Sequence, residues 1–487
     1  MYSCSVASTK AFGISEQCRC DAKYLSFVSQ DNWNAFHAKG KLCALSTVLS
    51  PSPIKKVAKG ELDEASFLVN ISDQEPTNGI LNLNNVESVD EINSDKTFLS
   101  GCDIIVSKLG MPKGYIYLLP KLGKNVIGST EFIPYRINSI QAPYYILYLL
   151  LTPEMRRAYS SLETGKTPSH KRVNPYEFLK IRVPQIPCSI SKVNEALSDI
   201  VHKIEELVGQ IESVQDRIEE HFSREFNYDS SSAARFGKGV SQPTQLLPPR
   251  GCRITTIGSS ALSRSSLLRM STRYNNDTTQ VLMAALSKIP TITLESLVLV
   301  PVHRGCSPKY VVDGEVPVVK TAHLINGDVL VSEEEFVSSC EYEKNERAQV
   351  QMGDLLIAST GKGSIGKVAL VREEIRLYAD SHISIIRIDN RKYNPEFALY
   401  FLQCILGYFQ IERDYTGCTN QVEIDKDSIG KLLVPDISIG EQTRIVSEIK
   451  AEIAKQDDIR DQISKLRRSI NETIYTAIRE DSGIDQH

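Results

Sequence analysis

The strongest constraint on this chain is a periodicity. Val193, Leu197, Ile200, Ile204, Leu207, Ile211, Val214, Ile218 and Phe222 follow one another at spacings of four and three. That is the a/d seam of a heptad repeat, with Glu195, Asp199, Glu205, Glu206, Glu212, Asp216, Glu219 and Glu220 off it. No proline interrupts the stretch, and Gly209 is its only weak helix former. At ~1.5 Å per residue the seam runs about 45 Å, too long to hide inside one small domain. It demands a partner helix.

Adding 252 to each seam number gives Ile445, Ile449, Glu452, Gln456, Ile459, Ile463, Leu466, Ile470 and Ile474. Only Glu452 and Gln456 break the aliphatic pattern, and polar residues on a seam fix register at some cost in stability. Two amphipathic helices lying on separate local cores would be the plainer arrangement. The shared offset favours one long coiled coil made by both.

A similar offset, about 251, extends into the flanking sequence. Gly101-Cys102-Asp103-Ile104-Ile105-Val106-Ser107 aligns with Gly353-Asp354-Leu355-Leu356-Ile357-Ala358-Ser359, each an apolar strand-like run opened by Gly and Asp. Pro143–Leu150 aligns with Pro395–Leu402, helices with proline in the first turn, and Val183-Pro184 aligns with Val434-Pro435. Short β-branched runs predict strands at Phe67–Ile71, Ile104–Val106 and Tyr115–Leu119. In the second copy they fall at Val316–Lys320, Leu355–Ile357, Lys367–Val371 and Ile383–Ile388. The predicted fold class is α+β: two tandem globular domains, each followed by a long helix, with mixed sheets and no βαβ alternation. The expected boundaries are an N-terminal segment 1–39, domain one 40–188, helix one 189–226, a linker 227–287, domain two 288–436, helix two 437–480 and a tail 481–487. The linker's Ser230–Arg250 core reads as mobile, and Arg19–Tyr24 and Arg273–Asp277 are expected to lie against the helices.

Across 487 residues the net charge of −4 does not announce a nucleic-acid partner, but local sums do more. Residues 40–188 carry 17 Lys and Arg against 14 Asp and Glu, residues 189–226 carry 4 against 9, and residues 227–287 carry 7 against 2. Basic and acidic segments alternate, so a basic face is compatible with an acidic whole. No run of about 18 apolar residues occurs, and the opening MYSCSVASTKAFG lacks an apolar core of signal-peptide length. Eleven cysteines without a CxxC pair read as reduced thiols, so the expected location is the cytoplasm.

Catalytic chemistry finds little support. Gly361-Lys362-Gly363-Ser364-Ile365-Gly366-Lys367 fits GxxxxGK, but Val368 stands where a phosphate loop places Ser or Thr. A strand-like run follows it, where a phosphate cradle needs a helix N-terminus. Asn174-Pro175-Tyr176 reads as a turn before a strand, and His170 and His382 as isolated surface histidines. No metal-ligand spacing and no cofactor motif stands out, so the expectation is a non-enzyme without cofactor or metal. DNA contact fits better. Lys108 and Lys113 flank the first glycine loop, while Lys362, Ser364 and Lys367 sit in the second. Lys166, Lys171 and Arg172 lie in a basic stretch whose counterpart in the second copy is polar and uncharged, with Thr419, Asn420 and Gln421. Cations at such loops position phosphates, and amides pair bidentately with adenine.

These residues carry a resemblance. The duplicated plan, the run Gly353–Ser359 leading into Gly363-Ser364-Ile365-Gly366-Lys367, and Val434-Pro435 followed by Gly440-Glu441-Gln442 resemble the specificity subunit of type I restriction-modification systems over nearly the whole chain. The resemblance implies two target-recognition domains, each reading half of a bipartite site in double-stranded DNA. It further implies two long helices that pair as an antiparallel coiled coil, act as a spacer and dock two modification (DNA methyltransferase) subunits, which hold the S-adenosylmethionine chemistry, with restriction and translocase subunits joined through the complex. The first copy departs from the pattern: Met111-Pro112 interrupts its glycine loop, and no Glu-Gln pair opens its long helix. Two alternatives stay open. One is a coiled-coil scaffold with two protein-recognition domains, and the other is a specificity-like subunit of a defence complex that does not methylate.

Overall fold

The computed structural model describes residues 21–29, 36, 41–58, 66–86, 94–122, 125–139, 142–165, 167, 170–187, 189–230, 272–275, 277–331, 335–418 and 421–481. The Ser230–Arg250 linker core lies outside them but for its first residue. The chain divides into two units, residues 1–210 with 459–487 and residues 211–458.

In the first unit, Ile104–Ser107 is buried at every position because it lies inside a four-stranded sheet, between Phe132–Ile137 and Ile116–Leu118. A five-stranded sheet beside it pairs Ser66–Val69 parallel to Asn125–Ser129. Helix α1 (Ala22–Ser29) sends Tyr24, Leu25 and Phe27 into the core. Helix α2 (Pro143–Leu151) is buried from Tyr145 to Leu151, so it is apolar all round, whereas α3 (Pro153–Leu162) buries only one face. Asn174 does not make a plain turn. Its Oδ1 accepts from Tyr176 N at 2.8 Å and caps α4 (Pro175–Lys180), which leads into the strand Arg182–Pro184. Helix α5 (Ile190–Val208) follows.

The second unit repeats this plan. It begins with α6 (Val214–Phe226) and continues, after residues outside the described set, with α7 (Asp277–Leu286). Leu355–Ala358 is again a fully buried inner strand, and Val316–Val319 again pairs parallel, with Leu377–Ala379. Helices α8 (Pro395–Gln403), α9 (Ile405–Asp414) and α10 (Lys426–Gly430) correspond to α2, α3 and α4. Helix α11 (Ile439–Asp481) closes the chain and contributes to both units. Of the segments preceding each copy, Arg19 and Cys20 lie outside the described residues, and the described parts lie against globular helices. Helix α1 packs on α3, α7 packs on α9, and Arg413 stands 5.2 Å over the Tyr274 ring.

The repeated Gly-Asp landmark is structural. Gly101 and Gly353 take φ of +87° and +90°, a backbone conformation that favours glycine. Asp354 is fully buried and receives Arg387 Nε and Nη2 at 2.8 Å each and Gln351 N at 2.8 Å. In the first copy Asp103 Oδ2 accepts from Ile137 N at 2.9 Å. The buried Gln442 accepts from Asn394 N at 2.8 Å and so holds the start of α8 against α11. The first copy lacks that glutamine, but Asn194 Oδ1 takes Tyr144 N at 2.9 Å and Tyr145 N at 3.3 Å at the start of α2. An amide performs the same docking from a different position.

The long-helix reading holds for α11 and needs correction for its partner. Ile449, Gln456, Ile463, Ile470 and Ala477 are buried at seven-residue spacing along one unbroken helix. In the first unit, Ile463, Ile470, Ile474 and Ala477 share a core with Leu197, Val201, Ile204 and Leu207 of α5. In the second unit, Ile445, Val446 and Ile449 share one with Ile218 and Phe222 of α6. The pairing is antiparallel: Glu212 meets Gln456, His221 meets Glu448, and Glu225 meets Arg444. The expected single helix 189–226 is instead broken between Val208 and Val214, leaving Ile211 exposed although it lies on the seam. Gly209 weakens the helix there, and Ser213 starts a new one by accepting from Asp216 N at 3.4 Å. Gln456 Oε1, itself buried, takes the freed Glu212 N at 2.9 Å. The polar seam residue therefore serves the break.

Candidate nucleic-acid interface

In the second unit the chain leaves Leu355–Ala358 through a glycine turn. Gly361 and Gly366 adopt φ of +83° and +80°. A methyl group on Gly366 would lie 2.7 Å from the Tyr408 ring, so that glycine serves packing. A methyl group on Gly361 or Gly363 would meet nothing within 4 Å, so the outer face of the turn is open to close approach. Lys362 and Lys367 are exposed beside it and Ser364 is half-buried. The strand Val368–Leu370 follows, not a helix, so the turn lacks the helix N-terminus on which a nucleotide-phosphate cradle depends.

This turn docks on a hairpin, Thr416–Cys418 paired with Gln421–Glu423. Gly361 N donates to Val422 O at 3.0 Å, Ile424 N donates to Ser359 O at 2.9 Å, and Thr360 bridges to Glu423. Arg304 binds the Glu423 carboxylate and, at 2.7 Å, the Ile424 carbonyl. His382 completes the rim: its carbonyl accepts from Ser359 N at 2.9 Å and its Nδ1 lies 2.8 Å from Thr360 Oγ1. Gln421 is exposed on the hairpin, while Thr419 and Asn420 at its tip lie outside the described residues.

The first unit builds the same junction from different side chains. Its hairpin pairs Glu163–Thr164 with Arg172–Val173, Leu109 bridges to Arg172, and Val173 N donates to Lys108 O at 3.0 Å. Lys108 N in turn donates to Glu131 O at 3.0 Å. Glu131 occupies the place of His382, and its carboxylate receives Arg172 Nη2 at 2.8 Å and Nε at 3.0 Å, with Lys108 Nζ 3.8 Å away. The hydrogen bond from Arg172 holds the Glu131 carboxyl below its ordinary range, and the same bond raises Arg172. The guanidinium is thus held in a fixed orientation, with Nη1 also donating to the His170 carbonyl at 3.2 Å. Lys113 is exposed after the buried Met111, and Lys171 is half-buried beside Arg172. Lys166 lies outside the described residues. Lys108 also lines a cleft of about 880 Å³ with Lys56, Asp95, Thr97 and Thr130.

In each unit, then, the glycine turn and the polar hairpin that the sequence offered separately form one surface. Glu131, His382, Arg304 and Glu423 were not singled out as candidates, since none belongs to a motif. The repeat could have found the first two, because Glu131 and His382 both precede the strand that follows the loop. Among the described residues no cluster of His, Cys, Asp and Glu could hold a metal, and no helix is long and apolar enough to cross a membrane.

No protein-family model matches the chain, and no curated protein matches its sequence. Solved structures are similar to this chain over most of its length. One is a chain from a study of complex assembly and conformational transition of the type I R-M system, 14% identical, with a TM-score of 0.43, covering 91% of this chain and 98% of that one. Another is a type I restriction-modification S subunit from M. genitalium, 13% identical, with a TM-score of 0.43, covering 91% and 96%. A third is the HsdS subunit from Thermoanaerobacter tengcongensis, 16% identical, with a TM-score of 0.29, covering 91% and 97%.

Proposed function

We propose that this chain is the DNA-reading specificity subunit of a type I restriction-modification complex. The observation that carries the reading is the repeated junction. Twice in one chain, an open glycine turn or basic loop is fused to a polar hairpin, and the exposed side chains are those suited to phosphates and base edges. In this reading Lys108, Lys113, Lys166, Lys171, Lys362 and Lys367 position the duplex, while Arg172 in the first unit and Ser364, Thr419, Asn420 and Gln421 in the second approach base edges. The paired helices dock modification subunits, and any methyl transfer or cleavage belongs to those partners and to the restriction subunits.

Binding selection on random-sequence duplexes, with the chain assembled with its modification subunits, tests this. The expected result is two short motifs separated by an unread gap, with affinity falling steeply as salt rises. Long-read base-modification mapping of the host genome should show the same split motif methylated only when this gene is intact. Failure to select any sequence, together with salt-insensitive capture of another protein, would favour the scaffold reading.

A further inference from the structure

His382 sits at the rim of the second unit's junction, immediately before the strand Ile383–Ile386, with an exposed ring. Its backbone is held from both sides: the amide donates to Asp380 Oδ1 at 2.9 Å, and the carbonyl accepts from Ser359 N at 2.9 Å. The ring has its own anchor, the Thr360 hydroxyl 2.8 Å from Nδ1. Thr360 in turn is fixed by the bridge to Glu423, whose carboxylate is bound by Arg304. A neutral imidazole has one donor and one acceptor nitrogen. With Nδ1 facing the Thr360 hydroxyl, Nε2 is the ring nitrogen left to read a partner.

The first unit shows what this position does with a different side chain. Glu131 there is bound by Arg172 and approached by Lys108, so its side chain is occupied within the junction. At the second junction the cation Arg304 is bound to Glu423 and to a backbone carbonyl, and the ring of His382 stands exposed. Lys362 and Lys367 are exposed on the neighbouring glycine turn as the charges available to phosphate.

We propose that His382 is a specificity-determining residue of the second unit, contacting a base edge through Nε2 and oriented by Thr360. This rests on the DNA-reading function proposed above. The test uses the full chain assembled with its modification subunits, with His382→Ala and Thr360→Val compared with the wild type by selection on random duplexes and by titration against the selected sequence at fixed salt. His382→Ala is expected to relax one or two positions within one half-site and to weaken binding of the selected sequence about tenfold, leaving the other half-site unchanged. Thr360→Val should blur the same positions to a smaller degree, since the ring remains but its orientation is lost. An unchanged motif with affinity within twofold would overturn the proposal. So would equal weakening on every sequence, the signature of a phosphate contact. A wild-type complex that selects no sequence removes the proposed function itself, a failure visible before any variant is made.

Discussion

Glu219 shows how a single buried carboxyl can set a pH dependence. It lies on α6, accepts Ile405 N at 2.6 Å at the start of α9, and accepts the Tyr228 hydroxyl at 2.8 Å. Burial pushes its pKa up to about 7, against the lowering effect of those two bonds. A raised carboxyl favours the folded state while protonated, so its contribution is complete below the ordinary value near 4.5 and is lost as pH rises through 7. Glu219→Gln, which imitates the protonated acid, should flatten the fall in melting temperature between pH 5 and pH 8. The difference at pH 8 should be on the order of 2–3 kcal/mol in favour of the variant. Melting curves across that range check it, and parallel curves for the two proteins would remove Glu219 as the cause. A second residue-scale expectation concerns Lys367. Because a strand follows its turn, the purified chain should not hydrolyse ATP, and turnover abolished by Lys367→Ala would contradict the reading of that loop.

At the scale of elements, the pairing of α5 with the end of α11 is open to direct chemistry. Val193 and Ile474 join the same core, so cysteines at both positions, on a background depleted of other cysteines, should crosslink within one chain. Intermolecular dimers alone on a denaturing gel would make α11 a homodimerisation element. Ile470→Ala, at a residue 3% exposed, should cost about 2–5 kcal/mol in chemical denaturation. The seam, the duplication and the inner strands were legible in the sequence, because burial imposes a 3.5-residue period on the paired helices and an unbroken apolar run on strands covered on both faces. The break at Gly209 was not. One glycine costs a helix only about 1 kcal/mol, and what fixes the break is Gln456, 244 residues from the amide it serves. The candidate junctions were half legible: the turns and hairpins each had a composition, but their meeting depends on bridges such as Thr360 to Glu423, which no local pattern records.

Across the whole molecule, the duplication preserved a scaffold and let its surface diverge. The inner strands, the parallel pairs and the helix-docking amides recur, while the junctions differ: Lys108, Glu131 and Arg172 in one unit, Thr360, His382 and Glu423 in the other. Under the proposed function, units whose junctions differ in this way should read different half-sites, so the expected site is not palindromic. Arg172→Gln should alter one half-site and leave intact the half altered by His382→Ala. Random-duplex selection with both variants decides this, and identical changes from the two would mean that the units do not read separately.

The broken helix and its unbroken partner also differ in how they tolerate a change of length. A residue inserted into α11 between Ile463 and Ile470 turns everything beyond it by ~100°, carrying Ile470 and Ile474 off the face that meets α5. A residue inserted between Gly209 and Ser213 enters no helix and turns nothing. One member of the pair therefore carries slack and the other carries none. Among descendants of this chain, length differences should collect at that short stretch, and a fluorophore or affinity tag grafted there would leave both helix faces in register.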